Sequence, residues 1–207
     1  MKIKISFFLL IFILALSGQA GALTLTDVFS TGVDASGNPL SAGTLDPHYS
    51  VTSSPTGAFT PQAITKHPAW VAAPTTAGWI GPADGAGGTP PIGDWVYELT
   101  FDLTGLDHLS AQISGNWASD NASTIFMNTT SIATNPVQFG ALTAFSITTG
   151  FIAGSNTLKF VVNNSAIGPT GLLVDITSAT AAVPEPTTML LLGAGLIGLA
   201  GARRRFY

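Results

Sequence analysis

From Asp94 to Leu103 the chain reads DWVYELTFDL, with Trp95, Tyr97, Leu99, Phe101 and Leu103 alternating with Val96, Glu98, Thr100 and Asp102. Successive side chains of an extended strand point to opposite faces, so strict alternation over ten residues is the signature of a strand with one buried face. Leu109, Ala111 and Ile113 repeat the period after a turn at Gly105. Shorter apolar runs follow at STIFMN (123–128), ALTAFSI (141–147), TLKFVV (157–162) and GLLVDIT (171–177), and LTLTDVF (23–29) offers one more. Most are bounded by Gly, Asn, Asp or Pro, and this spacing predicts an all-β sandwich. No amphipathic helix of useful length is predicted outside the two ends of the chain.

Composition narrows the function classes. Charged residues are 9% of the 207, against about 25% in ordinary soluble domains, which argues against an intracellular housekeeping enzyme. There is no cysteine, which excludes disulfides, thiolate metal sites and a cysteine nucleophile. Gly and Pro together make about one residue in six, favouring turns over long helices.

The two ends differ from the rest. Lys2 and Lys4 precede an unbroken apolar run from Phe7 to Leu16, and Ala20-Gly21-Ala22 follows. A basic start, an apolar stretch and a small-x-small site predict a signal peptide over residues 1–22, cleaved after Ala22 with Ala20 at the other small position. Export requires a secretion translocon and a signal peptidase as transient partners. At the far end Pro184-Glu185-Pro186 leads into an apolar, Gly-rich run to Ala202 and then Arg203-Arg204-Arg205. A helix over 187–202 is predicted to enter the membrane, with the arginines retained on the cytoplasmic side. Its continuously apolar part, Met189 to Ala202, rises only about 21 Å against a hydrocarbon core of about 30 Å, which suits a temporary stop better than a permanent anchor.

Those three parts, in that order, resemble the PEP-CTERM sorting signal of Gram-negative bacteria, over Val183 to Tyr207. The resemblance implies that an exosortase, a membrane-embedded processing enzyme, reads Pro184, Glu185 and Pro186 and acts on the tail. Two prolines hold the chain extended and without donors, as a processing cleft needs, and Glu185 adds one charge for recognition.

Between the two ends, Leu23 to Ala182 is predicted to be a single domain. It carries ten acids and two lysines, a net charge of −8, which argues against nucleic-acid binding and an anionic membrane surface. From Asp46 to Gly93 there are eight prolines and little periodicity, yet Tyr49, Phe59, Trp70, Trp79 and Ile80 also lie there. Large apolar groups are rarely left in a free linker, so this stretch is predicted to pack along the sandwich with Trp70 and Trp79 as anchors. The order DPHY (46–49), PAW (68–70), WIGP (79–82), GDWVYELTFDL (93–103), GNWASDN (115–121), GFIAGSNTLKFVVNN (150–164) and PTGLLVDI (169–176) is similar to galactose-binding-like jelly rolls. That resemblance implies a jelly-roll β-sandwich with a sugar-binding role. Met127-Asn128-Thr129 stands where such domains carry Asn-Gly, and a wider turn is expected there.

Catalytic signals are thin. His48, His67 and His108 are not at metal-ligand spacing, and neither HExxH nor GxSxG occurs. Asp102, Asp107, Asp120 and Asp175 form no pair singled out by spacing, as a glycosidase would require; they read as turn and strand-end residues. Asp120-Asn121 offers oxygens toward a structural calcium, which needs several more. Aromatic rings stack on the C–H faces of sugars while Asp and Asn take their hydroxyls, which makes Trp117, Asp120, Asn121, Trp70 and Trp79 the candidate ligand-binding residues. Trp95 belongs to the alternating core face. Two expectations follow: an exported, non-catalytic surface or biofilm-matrix protein that holds extracellular polysaccharide, or a structural or adhesive surface protein working through protein contacts.

Overall fold

The computed structural model describes residues 21–83, 85–135, 137–184 and 187–203. The expected signal peptide up to Ala20, and Glu185, Pro186, Arg204 and Arg205 of the tail, lie outside them. Leu23–Ala182 forms one compact unit. Its strands are β1 (Ala22–Thr24), β2 (Tyr49–Ser53), β3 (Gln62–Ala63), β4 (Ile80–Gly81), β5 (Gly93–Asp102), β6 (Asp107–Asp120), β7 (Ala122–Met127), β8 (Thr130–Thr134), β9 (Thr143–Ile147), β10 (Ser155–Asn164) and β11 (Gly171–Ala182).

They form two sheets. One runs β3-β4-β11-β6-β9 with β1 also on β11, and the other runs β2-β5-β10-β7-β8. Taking β1 and β5 to β11 as the eight strands of the sandwich, the first, eighth, third and sixth share one sheet, and the second, seventh, fourth and fifth share the other. That order is a jelly roll. The long segment between β1 and β5 adds β2, β3 and β4 to the sheet edges.

The alternation in the sequence becomes the core. Trp95, Tyr97, Leu99 and Phe101 of β5 are all buried, while Asp94, Thr100 and Asp102 are exposed. Register aligns them in cross-strand rows: Tyr97 faces Phe160 of β10, which faces Ile125 of β7, and Leu99 faces Leu158, which faces Met127. Such rows are the unit of sheet stabilisation. Ala111, Ile113 and Trp117 of β6 and Leu172 and Val174 of β11 join the same core from the second sheet. Leu109, expected on that buried face, is 81% exposed; it lies where the β6–β11 register shifts, between Thr180 and Ala182.

β11 opens with five consecutive buried residues, Gly171 to Asp175. Leu172 and Val174 enter the main core, whereas Leu173 points the other way into a second cluster with Trp70, Ala77, Trp79 and Ala118. The Pro-rich segment therefore covers the outer face of this sheet, as expected from its two tryptophans. Asp46 ties it down: its buried carboxylate accepts the N–H groups of Gly32 (2.7 Å), His48 (2.8 Å) and Tyr49 (3.0 Å). Burial pushes its pKa up from the ordinary 3.8, against the downward pull of those three donors. His48 stacks on Phe29 at 3.6 Å, a packing role rather than a ligand one.

Two local expectations change. The run LTLTDVF is a strand only to Thr24, with Leu25 adding one hydrogen bond from its N–H to the Ala179 carbonyl. The β7–β8 connection is tight rather than wide, because Met127 pairs with Thr130 and only Asn128 and Thr129 turn the chain. Asn128 takes φ +54, a left-handed conformation that Asn tolerates without glycine. Its amide holds the turn by donating to the Gly150 carbonyl and Asn156 Oδ1 and accepting the Thr157 N–H.

The tail is helical over Thr187–Arg203 (α1), 17 residues, a rise of about 26 Å. The described helix covers the expected 187–202 together with Arg203. Among the described residues no helix is long and apolar enough to cross a membrane, so the expected transmembrane role is not carried by its length.

Candidate functional site

β6 ends in Trp117-Ala118-Ser119-Asp120, and β7 begins two residues later at Ala122. This strand end is covered on both faces, by the main core on one side and the Pro-rich segment on the other. Trp117 is 1% exposed, its ring edge-on to Phe145 at 5.6 Å and its Nε1–H donating to Ser123 Oγ at 2.9 Å. Trp79 is equally enclosed and donates from Nε1 to the Val71 carbonyl. Neither ring presents a face to a sugar, so these two of the five candidates hold the fold instead.

The other three come together, although the Trp70 ring is buried too, 4.3 Å from that of Trp79, and offers no open face for stacking. Trp70 donates from Nε1 to Asp120 Oδ2 at 2.7 Å across fifty positions of sequence. The Asp120 backbone carbonyl accepts Thr170 Oγ1–H at 2.7 Å, and Asn121 Oδ1 accepts both the N–H and the hydroxyl of Ser165. Trp70, Asp120 and Asn121 line one side of a cavity of about 220 Å³, with Asn164, Phe139 and Ile167 on the others.

Asn164 was not among the residues singled out from sequence, and it is the most unusual group here. It is fully buried at the end of β10, and its amide nitrogen donates to the carbonyls of Pro90 and Pro91, each at 3.0 Å. Its Oδ1 is buried without a hydrogen-bond partner. A buried acceptor left unpaired costs about 1–3 kcal/mol, and a ligand donor reaching it would remove that cost. The available signal was its parity: Asn164 follows Leu158, Phe160 and Val162 on the inward face of β10.

Burial also raises the pKa of Asp120 from 3.8, opposed by the Trp70 N–H and by nearby His67. A folded-state pKa above the unfolded one means the folded form holds the proton more tightly. The Asp120 contribution to stability therefore declines as pH rises from 3.8 through the folded-state value. Asp120→Asn is expected to flatten that part of a pH–stability curve, measured by urea unfolding across the acid range; an unchanged slope would show that Asp120 is not its source.

The remaining carboxylates are spread out. Asp102 accepts from the Thr104 N–H and hydroxyl, Asp107 from the Leu109 N–H, and Asp175 from Thr76 Oγ1. None of them lines the cavity with Asp120. Among the described residues no group of three or more His, Cys, Asp or Glu is placed to hold a metal ion, and Asn121 Oδ1 is already taken.

With the geometry in place, the comparisons with known proteins divide between tail and sandwich. Residues 182–205 carry a PEP-CTERM protein-sorting motif. The match takes in the Pro-Glu-Pro segment, α1 and the arginines, and it implies sorting by an exosortase. The PEP-CTERM motif says nothing of the sandwich. Among curated proteins none matches the chain. A solved structure described as that of a family 35 carbohydrate binding module from an environmental isolate is similar at 15% identity, over 58% of this chain and 86% of that one. Its TM-score of 0.28 is too low to carry an argument about this chain's ligand.

Proposed function

We propose that this is an exported, non-catalytic surface or extracellular-matrix protein, delivered through its PEP-CTERM tail, whose sandwich binds a carbohydrate in the Trp70–Asp120–Asn164 cavity. Asn164 supports this reading, because the residue lines a cavity that also holds a carboxylate, an amide and apolar side chains, and its buried Oδ1 is left without a partner. That mixture suits a sugar ring, with polar groups for hydroxyls and Phe139 and Ile167 for the C–H faces. The cavity, about 220 Å³, is smaller than the ~300–1,000 Å³ of most ligand clefts, which favours one ring at a chain end or branch. On this reading residues 1–22 are removed on export, Leu23–Ala182 is the mature domain, and the tail passes through the inner membrane only in transit.

Gly168 provides the test. It lines the cavity, and a Cβ built on it meets nothing within 4 Å, so a large side chain can be added at the cavity without a clash at its base. Gly168→Trp is expected to keep the melting temperature and abolish binding on a glycan array. Silence of the unaltered protein across diverse polysaccharides, or binding that Gly168→Trp leaves intact, contradicts the proposal. Silence would favour the second reading, a structural or adhesive protein working by protein contacts.

A further inference from the structure

On the reading that the cavity holds a sugar, we propose that it selects by charge, preferring amine-bearing rings, accepting neutral ones and rejecting uronates. Among the described residues Asp120 is the one acid in its lining, and no lysine or arginine lines it. Trp70 occupies Oδ2, and among the described residues Oδ1 has no protein donor. Lys66, next to His67 in the sequence, turns its ammonium onto the carbonyls of His67, Pro68 and Trp70 in its own loop. His67, which does line the cavity, accepts the Ala69 N–H at Nδ1, so when neutral it keeps its one ring proton on Nε2.

Asn164 adds a second, independent constraint. With both amide hydrogens held by the Pro90 and Pro91 carbonyls, its side chain has no proton to donate to a ligand. A hydroxyl or ammonium supplies a donor; a carboxylate supplies none and would also face Asp120 at close range, where little water screens the repulsion. The wider field acts the same way, since the −8 of Leu23–Ala182 attracts cationic polymers and repels acidic ones.

The test compares three β-1,4-linked tetramers, of glucosamine, glucose and glucuronic acid, titrated against the purified full chain by calorimetry. Glucosamine is expected to bind about tenfold more tightly than glucose, and glucuronic acid at least about tenfold more weakly, roughly the effect of one partly screened charge pair. High salt should shrink both differences. Asp120→Asn, which keeps an acceptor for Trp70 Nε1–H, should bring the three affinities to within a few-fold of one another while the protein still melts cooperatively. Gly168→Trp should abolish glucosamine binding, and glucosamine binding that survives it would be attraction to the acidic surface at large and would overturn the proposal. An order unchanged by Asp120→Asn, or glucuronic acid binding as well as glucose, overturns it too. Glucose and glucosamine binding equally, both lost in Gly168→Trp, would sink the charge selection and leave the carbohydrate reading standing. No binding of any tetramer would sink both.

Discussion

Trp117→Ala is expected to lower the melting temperature by roughly 6–20 °C, from a loss of about 3–5 kcal/mol in a domain of this size. The indole is among the largest fully buried side chains, and truncation would remove its edge-to-face contact with Phe145 and its hydrogen bond to Ser123 Oγ. Ser123 and Ser119 lie 2.6 Å apart beneath it, so the cavity left behind would have a polar wall next to apolar ones and could not collapse cleanly. Sequence reasoning offered this residue as a stacking platform for sugar. A platform would lose binding on substitution and keep its melting temperature; that outcome would contradict the packing described here.

Gly115→Ala is expected to be nearly as damaging. Gly115 faces Ile176 across the β6–β11 pair, and a Cβ built there overlaps the Asp175 carbonyl oxygen and comes within 3.0 Å of two Phe145 ring carbons. A flexible side chain can give way to such a contact, but a backbone carbonyl inside a sheet cannot without separating the strands. The cost is expected at about 2–3 kcal/mol or more, a fall of roughly 4–12 °C in melting temperature. A fall of less than about 2 °C would show that β6 and β11 pack less closely than the structure has them. Because β6 also ends at Asp120, the same substitution should weaken binding in the cavity.

These two residues show what the sequence could and could not reveal. Strands that bury one face write their parity into the chain, which is why β5 was legible almost to the residue and β7, β9 and β10 nearly so. The end of β6 and the start of β11 are buried on both faces, so GNWASDN and GLLVD carry no period to read. What covers their outer face is the Pro-rich segment, whose tryptophans announced that it packs but not onto what. Trp70 meets Asp120 only because the chain returns after fifty positions, and such a contact leaves no local trace. Asn164 was legible in principle, as a polar group in the inward row of β10, but its unpaired oxygen depends on the Pro90 and Pro91 carbonyls from another segment. The tight turn at Asn128 was missed because its left-handed residue is held by contacts from the loop and strand that follow Gly150, not by a glycine.

The tail carries the central claim, that α1 is part of a sorting signal rather than a lasting anchor. At 17 residues it falls short of the ~20 needed to span a bilayer untilted, and its Leu191, Ile197 and Leu199 side chains are exposed. An exposed apolar helix is a liability on a mature secreted protein and an asset on a precursor that must pause in a membrane. The most direct test is intact-mass spectrometry of the protein recovered from the cells that export it. The expected species begins at Leu23 and ends before Thr187, without α1 and the arginines. Mature molecules that all still end in Tyr207 would contradict the claim.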